Sequence, residues 1–171
     1  NNANLRNASF SGSILHNIDF YKANELLPAN YTFSSLDNSN FSGKIIPSIN
    51  LTGVSSMTNT LFNNTDMTDA IVKFADLDGS YFKNAVLDNV DFSGTSIGTV
   101  DFMDASLIFT NFCGQNMMNT ILVNTDFSSS NLKNTDFSYH SDLCGAQFIN
   151  SNLTDANFCY ASLSGVSFSG A

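Results

Sequence analysis

The chain has 171 residues, of which 43% are apolar and only 12% charged, with Asn and Ser filling the share that charges usually take. Fifteen acids against six bases give a net charge of −9, unevenly spread: residues 1–83 carry seven acids and five bases, residues 84–171 eight acids and only Lys133. That balance disfavours direct contact with nucleic-acid phosphates or an anionic membrane, the Asn, Ser and Gly content argues against a helical protein, and 16 Phe argue against disorder.

Along the chain, a large apolar residue recurs at every fifth position, and internal repetition is read before local propensity. Leu5, Phe10, Leu15 and Phe20 open the series. After a one-residue slip near 21–25 it resumes at Leu26, Tyr31, Leu36, Phe41, Ile46 and Leu51, and after a second slip near 52–56 at Met57. From Phe62 it runs unbroken through Phe82, Phe92, Phe102 and Phe112 to Phe137, shifts by one residue, and continues from Leu143 to Phe168. Two positions before most of these centres stands a small or β-branched residue, as at Ala75, Ala85 and Val90. One position before it Asp or Asn is common, as at Asp76, Asp91 and Asn157, and two positions after it stand Asn and nine of the ten glycines.

A helix would scatter centres five residues apart around its axis, leaving no buried face. A continuous strand would send successive centres to opposite sides. A short extended segment followed by a bend satisfies the pattern. Centre and centre−2 then point inward, the Asp or Asn between them points out, and Gly or Asn takes a corner where positive φ is tolerated. Phe62, Phe82 and Phe102 are 20 apart, which suits four pentapeptides per coil and stacked rings. Thirty-three centres then give about eight coils and a rod about 40 Å long.

The runs Ala3-Asn4-Leu5, Ala75-Asp76-Leu77, Val90-Asp91-Phe92 and Ala156-Asn157-Phe158 resemble the A(D/N)LXX motif of pentapeptide-repeat proteins, over nearly the whole chain. The resemblance implies an all-β fold, a right-handed quadrilateral β-helix, here one domain over residues 1–171. With Asn1 in place of an initiator Met, the chain is expected to be an excised or processed piece. No amphipathic capping helix flanks Leu5 or Phe168, so the solenoid is expected to continue into further sequence or to cover an end by end-to-end self-association.

Three stretches break the pattern. Residues 21–28, with Glu25, Leu27 and Pro28, read as irregular. At 43–50 a charge, Lys44, falls on an inward small-residue position near Pro47, which predicts a bulge or loop. At 113–118, with Gln115 a poor inward residue, a looped-out pentapeptide would keep every Phe on the same two faces; otherwise the ladders change faces.

Little in the sequence suggests chemistry. His16 and His140 have no partner in metal-ligand spacing, and no nucleophile, P-loop or zinc motif occurs, so no catalytic, metal or cofactor site is expected. Cys113, Cys144 and Cys159 read as free thiols, pointing to a cytoplasmic or other reducing compartment, the host cytosol for an effector. The candidate interaction surface is Leu61, Tyr81 and Met103 beside one aromatic ladder, with Phe74 and Phe109 at corners and Tyr139 and Tyr160 as weaker members. The resemblance implies a non-catalytic protein-interaction or targeting scaffold, as in the repeat regions of secreted bacterial effectors. The alternative it carries is a DNA-mimicking protein that binds a type II topoisomerase, which an acidic rod suits.

Overall fold

The computed structural model describes residues 3–23, 25–27, 29–139 and 142–171. The chain winds as a β-solenoid in which each side contributes one bridging residue, a centre and a two-residue turn. Each side is too short to form a named strand, so the ladders consist of isolated parallel bridges between residues 20 or 21 apart. One column runs Asp19, Asn40, Leu61, Tyr81, Asp101, Ile121, Asp142, Ser162. A coil therefore consumes four pentapeptides. Face A carries centres Leu5 to Phe168, face B Phe10 to Leu153, face C Leu15 to Phe158 and face D Phe20 to Leu163, repeating in that order.

The hydrogen bonds show why five residues suffice. Phe62 N donates to Tyr81 O (2.8 Å) in the next coil, and Tyr81 N to Thr60 O (3.0 Å) in the previous one. Within the side, Ala85 N donates to Phe82 O (2.9 Å) and closes the turn. The main chain thus bonds along the rod axis as well as locally. The Asp or Asn before each centre adds a further bond: its Oδ1 accepts the amide two residues on, as in Asp66 with Thr68 (3.1 Å) and Asp101 with Met103 (2.9 Å). Inward hydroxyls are satisfied as well, as Thr65 Oγ1 donates to Phe62 O at 2.6 Å.

The interior is a set of ladders. On face D the rings of Phe20, Phe41, Phe62, Phe82 and Phe102 stack at 4.3, 4.9, 5.0 and 5.5 Å. On face B, Phe10 stacks on Tyr31 at 5.3 Å and Phe92 on Phe112 at 4.4 Å. Beyond residue 112 the rings move to face A, with Phe127, Phe148 and Phe168 at 5.2 and 5.3 Å, and to face C, with Phe137 and Phe158 at 4.9 Å. Offset parallel pairs at these distances, with edge-to-face contacts such as Phe92–Phe102 (5.8 Å), are favourable ring geometries. In the first coil Leu5, Phe10 and Leu15 are half-buried, and in the last Leu163 and Phe168 are 39% exposed.

Two of the three expected irregularities are corrected. Residues 43–50 form regular sides, with Ile45 and Asn50 bridging Asp66 and Ile71 and with Ile46 and Ile49 buried. Lys44 is accommodated because its long stem carries the ammonium outward to Ala23 O (2.6 Å) and toward the Tyr21 ring (5.8 Å to its centroid). Residues 113–118 are not looped out: Met117 is fully buried, Asn116 bridges Asp136, and the ladders change faces. Gln115 is tolerated inside because its Nε2 donates to Phe92 O (2.8 Å). The stretch 21–28 does depart from the repeat, with a 3-10 turn over Phe20–Lys22, while Asn24 and Pro28 lie outside the described residues. The six-residue sides at 20–26, 51–57 and 137–143 account for ladder spacings of 21 in place of 20.

Candidate interaction surface

The corner residues, two after each centre, are held in the left-handed region throughout most of the rod. Gly and Asn fill most corners, as glycine lacks a Cβ and Asn tolerates this conformation. Five corners instead carry large aromatics: Phe33 (φ 56°), Phe74 (59°), Phe109 (58°), Tyr139 (62°) and Tyr160 (61°). Each such residue costs about 1–2 kcal/mol relative to the right-handed region. Little burial offsets that cost, for Phe33, Phe74 and Phe109 are 64, 66 and 64% exposed.

The Phe33 and Phe74 rings share the edge between faces B and C and rest on glycine. A Cβ added at Gly53 would stand 2.6 Å from Phe33 ring carbons, and one at Gly94 would stand 3.8 Å from the Phe74 ring. Lys73 Nζ sits 5.2 Å from the Phe74 centroid. Tyr139 and Tyr160 stack on each other at 5.1 Å on the edge between faces C and D. Phe109 stands on the edge between faces A and B.

The structure places Leu61, Tyr81 and Met103 on successive coils of face D. Tyr81 is 39% exposed, whereas Leu61 and Met103 are half-buried against their neighbours. Ile121 follows in the same column and is 41% exposed. Phe74 and Phe109 stand on different edges from this group, so the sequence-selected residues do not form one contiguous patch. Phe33 belongs with Phe74 and was missed; the signal was present, as each Phe is followed 20 residues later by a corner glycine.

Electrostatics are local. A hydrogen bond from Lys22 holds the Asp19 carboxyl below its usual range, with Nζ at 2.9 Å. The Ser138 hydroxyl and amide do the same for Asp136. His16 Nε2 lies 2.7 Å from Ser35 Oγ and 3.5 Å from Asp37; His140 lies outside the described residues. Cys113 and Cys159 are exposed free thiols, and Cys144, half-buried, approaches Ser162 Oγ at 3.3 Å. Among the described residues no three His, Cys, Asp or Glu converge as metal ligands, and no helix is long and apolar enough to cross a membrane. An apolar cavity of about 250 Å³ lies at the first coil between Leu5, Phe10, Leu15 and Phe20.

Among solved structures, a trypsin-treated single-residue variant of QnrB1, a plasmid-mediated fluoroquinolone resistance protein, is 19% identical over 96% of this chain and 86% of that one, with a TM-score of 0.61. HetL, a pentapeptide repeat protein involved in heterocyst differentiation regulation from the cyanobacterium Nostoc sp. strain PCC 7120, is 17% identical over 99% of this chain and 90% of that one, with a TM-score of 0.38. The likeness to QnrB1 is one of fold and implies a right-handed β-helix. No curated protein matches the sequence. The family model described as pentapeptide repeats matches in 8 copies over residues 1–24, 50–84, 72–102, 101–138 and 139–171. With the five-residue ladder running from the first coil to the last, the chain belongs to the pentapeptide-repeat family.

Proposed function

We propose that the chain is a non-catalytic scaffold, a rod of about eight four-sided coils that works by presenting its surface to a protein partner, in a reducing compartment that keeps its three thiols free. One observation carries this reading: five aromatic side chains occupy strained corner positions where they project outward. Backbone strain without compensating burial is better explained by contact with something else than by folding. Affinity capture from a lysate of the source organism tests it, comparing the native chain with a variant in which Phe74, Phe109 and Tyr81 are replaced by Ser. A partner retained by the native chain and lost by the variant supports the reading; identical sets overturn it.

The second reading, mimicry of DNA toward a type II topoisomerase, draws on the net charge of −9. A supercoiling assay with added protein decides it. Inhibition or protection at protein levels below those needed to coat the DNA would favour mimicry, and an unchanged reaction would leave the scaffold reading alone in place.

A further inference from the structure

The four faces do not share charge evenly. Face B balances Asp91 and Asp155 with Lys73 and Lys133, face D sets Lys22 and Lys83 against its acids, and face A has Arg6 and the inward-rooted Lys44. Face C carries Asp37, Asp76, Asp78 and Asp136 and, among the described residues, no Lys or Arg; its basic group is His16, 3.5 Å from Asp37. Its carboxylates are pinned before any partner arrives. Asp37 Oδ1 accepts the Thr58 amide (3.0 Å), Asp76 Oδ1 the Asp78 amide (3.1 Å), Asp78 Oδ1 the Gly98 amide (2.6 Å) and Asp136 Oδ1 the Ser138 amide (3.0 Å).

The same coils supply aromatic rings at the borders of that face. Phe33 leads the side that carries Asp37, Phe74 leads the side that carries Asp76 and Asp78, and Tyr139 ends the side that carries Asp136. Phe33 and Phe74 are two coils apart, about 10 Å at the usual strand spacing. The Phe33 and Phe74 rings lie beside Gly53 and Gly94, and the two residues are 64 and 66% exposed. The Phe74 ring already takes a cation, the Lys73 ammonium reaching across from face B.

We propose that face C docks an arginine-rich segment of a protein partner, its guanidinium groups stacking on Phe33 and Phe74 and pairing with Asp37, Asp76, Asp78 and Asp136. Planar, weakly hydrated guanidinium stacks on an aromatic face and forks onto a carboxylate, whereas a compact ammonium does the first less well. Fixed acids along the same face steer such a segment and set its register. The inference rests on the protein-interaction reading above and adds to it a face and a partner chemistry.

The test uses the full chain and two peptides of equal length, oligo-arginine and oligo-lysine, titrated calorimetrically at physiological ionic strength. Arginine binds about tenfold more tightly than lysine, as two ring contacts should provide. The triple variant Asp76→Asn, Asp78→Asn, Asp136→Asn loses at least about tenfold more affinity than the charge-matched face A triple Asp66→Asn, Asp88→Asn, Asp126→Asn. The double variant Phe33→Asn, Phe74→Asn keeps its fold, since Asn occupies equivalent left-handed corners at Asn38 and Asn59, and loses the arginine preference. Equal losses from the two triples, or an arginine preference that survives the double variant, would overturn the assignment. Either result would leave the lysate comparison untouched, so the two readings fail separately.

Discussion

Replacing Phe82 by Ala tests whether the fifth-position side chains hold the rod together. Phe82 is fully buried, and its ring lies between those of Phe62 and Phe102, 5.0 and 5.5 Å away and tilted by 4° and 21°. Truncating a buried Phe costs about 3–5 kcal/mol in transfer and cavity energy. Aromatic pairs contribute about 0.5–1.5 kcal/mol beyond area burial, and two are lost here, which puts the expected cost in the upper half of that range. Phe74→Ala is the matched control. It leaves a Cβ at the same left-handed corner, and with 66% of the residue exposed only about a third of its burial energy is at stake. Full burial of such a side chain is worth about 1.5–3 kcal/mol, so the control should cost about 1 kcal/mol or less. Urea unfolding followed by circular dichroism measures both. Since each coil touches only its neighbours, the Phe82 variant should also lose cooperativity, melting from the damaged coil outward. Similar midpoint shifts for the two variants would refute the division into centres and corners.

Lys44→Met keeps the stem and removes the ammonium that Ala23 O accepts, so stability should fall by about 1–2 kcal/mol, with faster amide exchange around Ala23; no change would make that contact incidental. Tyr31 Oη is buried without a hydrogen-bond partner, so Tyr31→Phe should leave stability equal or raised by about 1 kcal/mol in thermal unfolding. Burial raises the Tyr31 phenol above its ordinary 10.0, so its contribution is present below pH 10.0 and lost as pH climbs beyond it. An ultraviolet titration should accordingly show one late phenol that Tyr31→Phe abolishes. The lowered Asp136 carboxyl has the opposite sign: its contribution is present above the ordinary 3.8 and lost as pH falls below it, so Asp136→Asn should flatten the acid limb of the stability profile. A thiol reagent should label Cys113 and Cys159 quickly in the native protein and Cys144 more slowly, whereas three equal rates would contradict their burial order.

Much of the core was legible because the period leaves one workable geometry, and centres such as Leu77, Leu87 and Phe92 are buried where the pattern put them. The failures share a cause. Lys44 and Gln115 were read by residue class at inward positions, and both are long enough to reach a carbonyl, Ala23 O or Phe92 O, from a small-residue slot. Met117 was doubted because the Phe ladders change phase, yet two non-aromatic sides, centred on Met117 and Leu122, stand between the aromatic blocks without leaving register. The outward placing of Asp and Asn was legible, but the turn amides that their Oδ1 atoms accept are bonds that period alone does not reveal. On the surface, outward positions were legible but their degree of exposure was not, since Leu61 and Met103, flanking the centres Phe62 and Phe102, are half-buried in the stacked coils.

The repeat separates stability from recognition by position. Inward residues interact up and down the rod, so the stacked Phe20–Phe102 block and the Phe127–Phe168 block supply cohesion that no corner has to provide. Corner side chains touch little beyond the next corner, so a strained Phe there costs about 1–2 kcal/mol locally and leaves the core packing as it was. The two aromatic blocks meet at Phe112 and Phe127, edge to face at 5.7 Å, with Met117 and Leu122 between them in sequence. Phe33 and Phe74 lie along the first block, Tyr139 and Tyr160 along the second. A segment that spans face C therefore runs alongside both blocks and crosses the place where the ladders change faces.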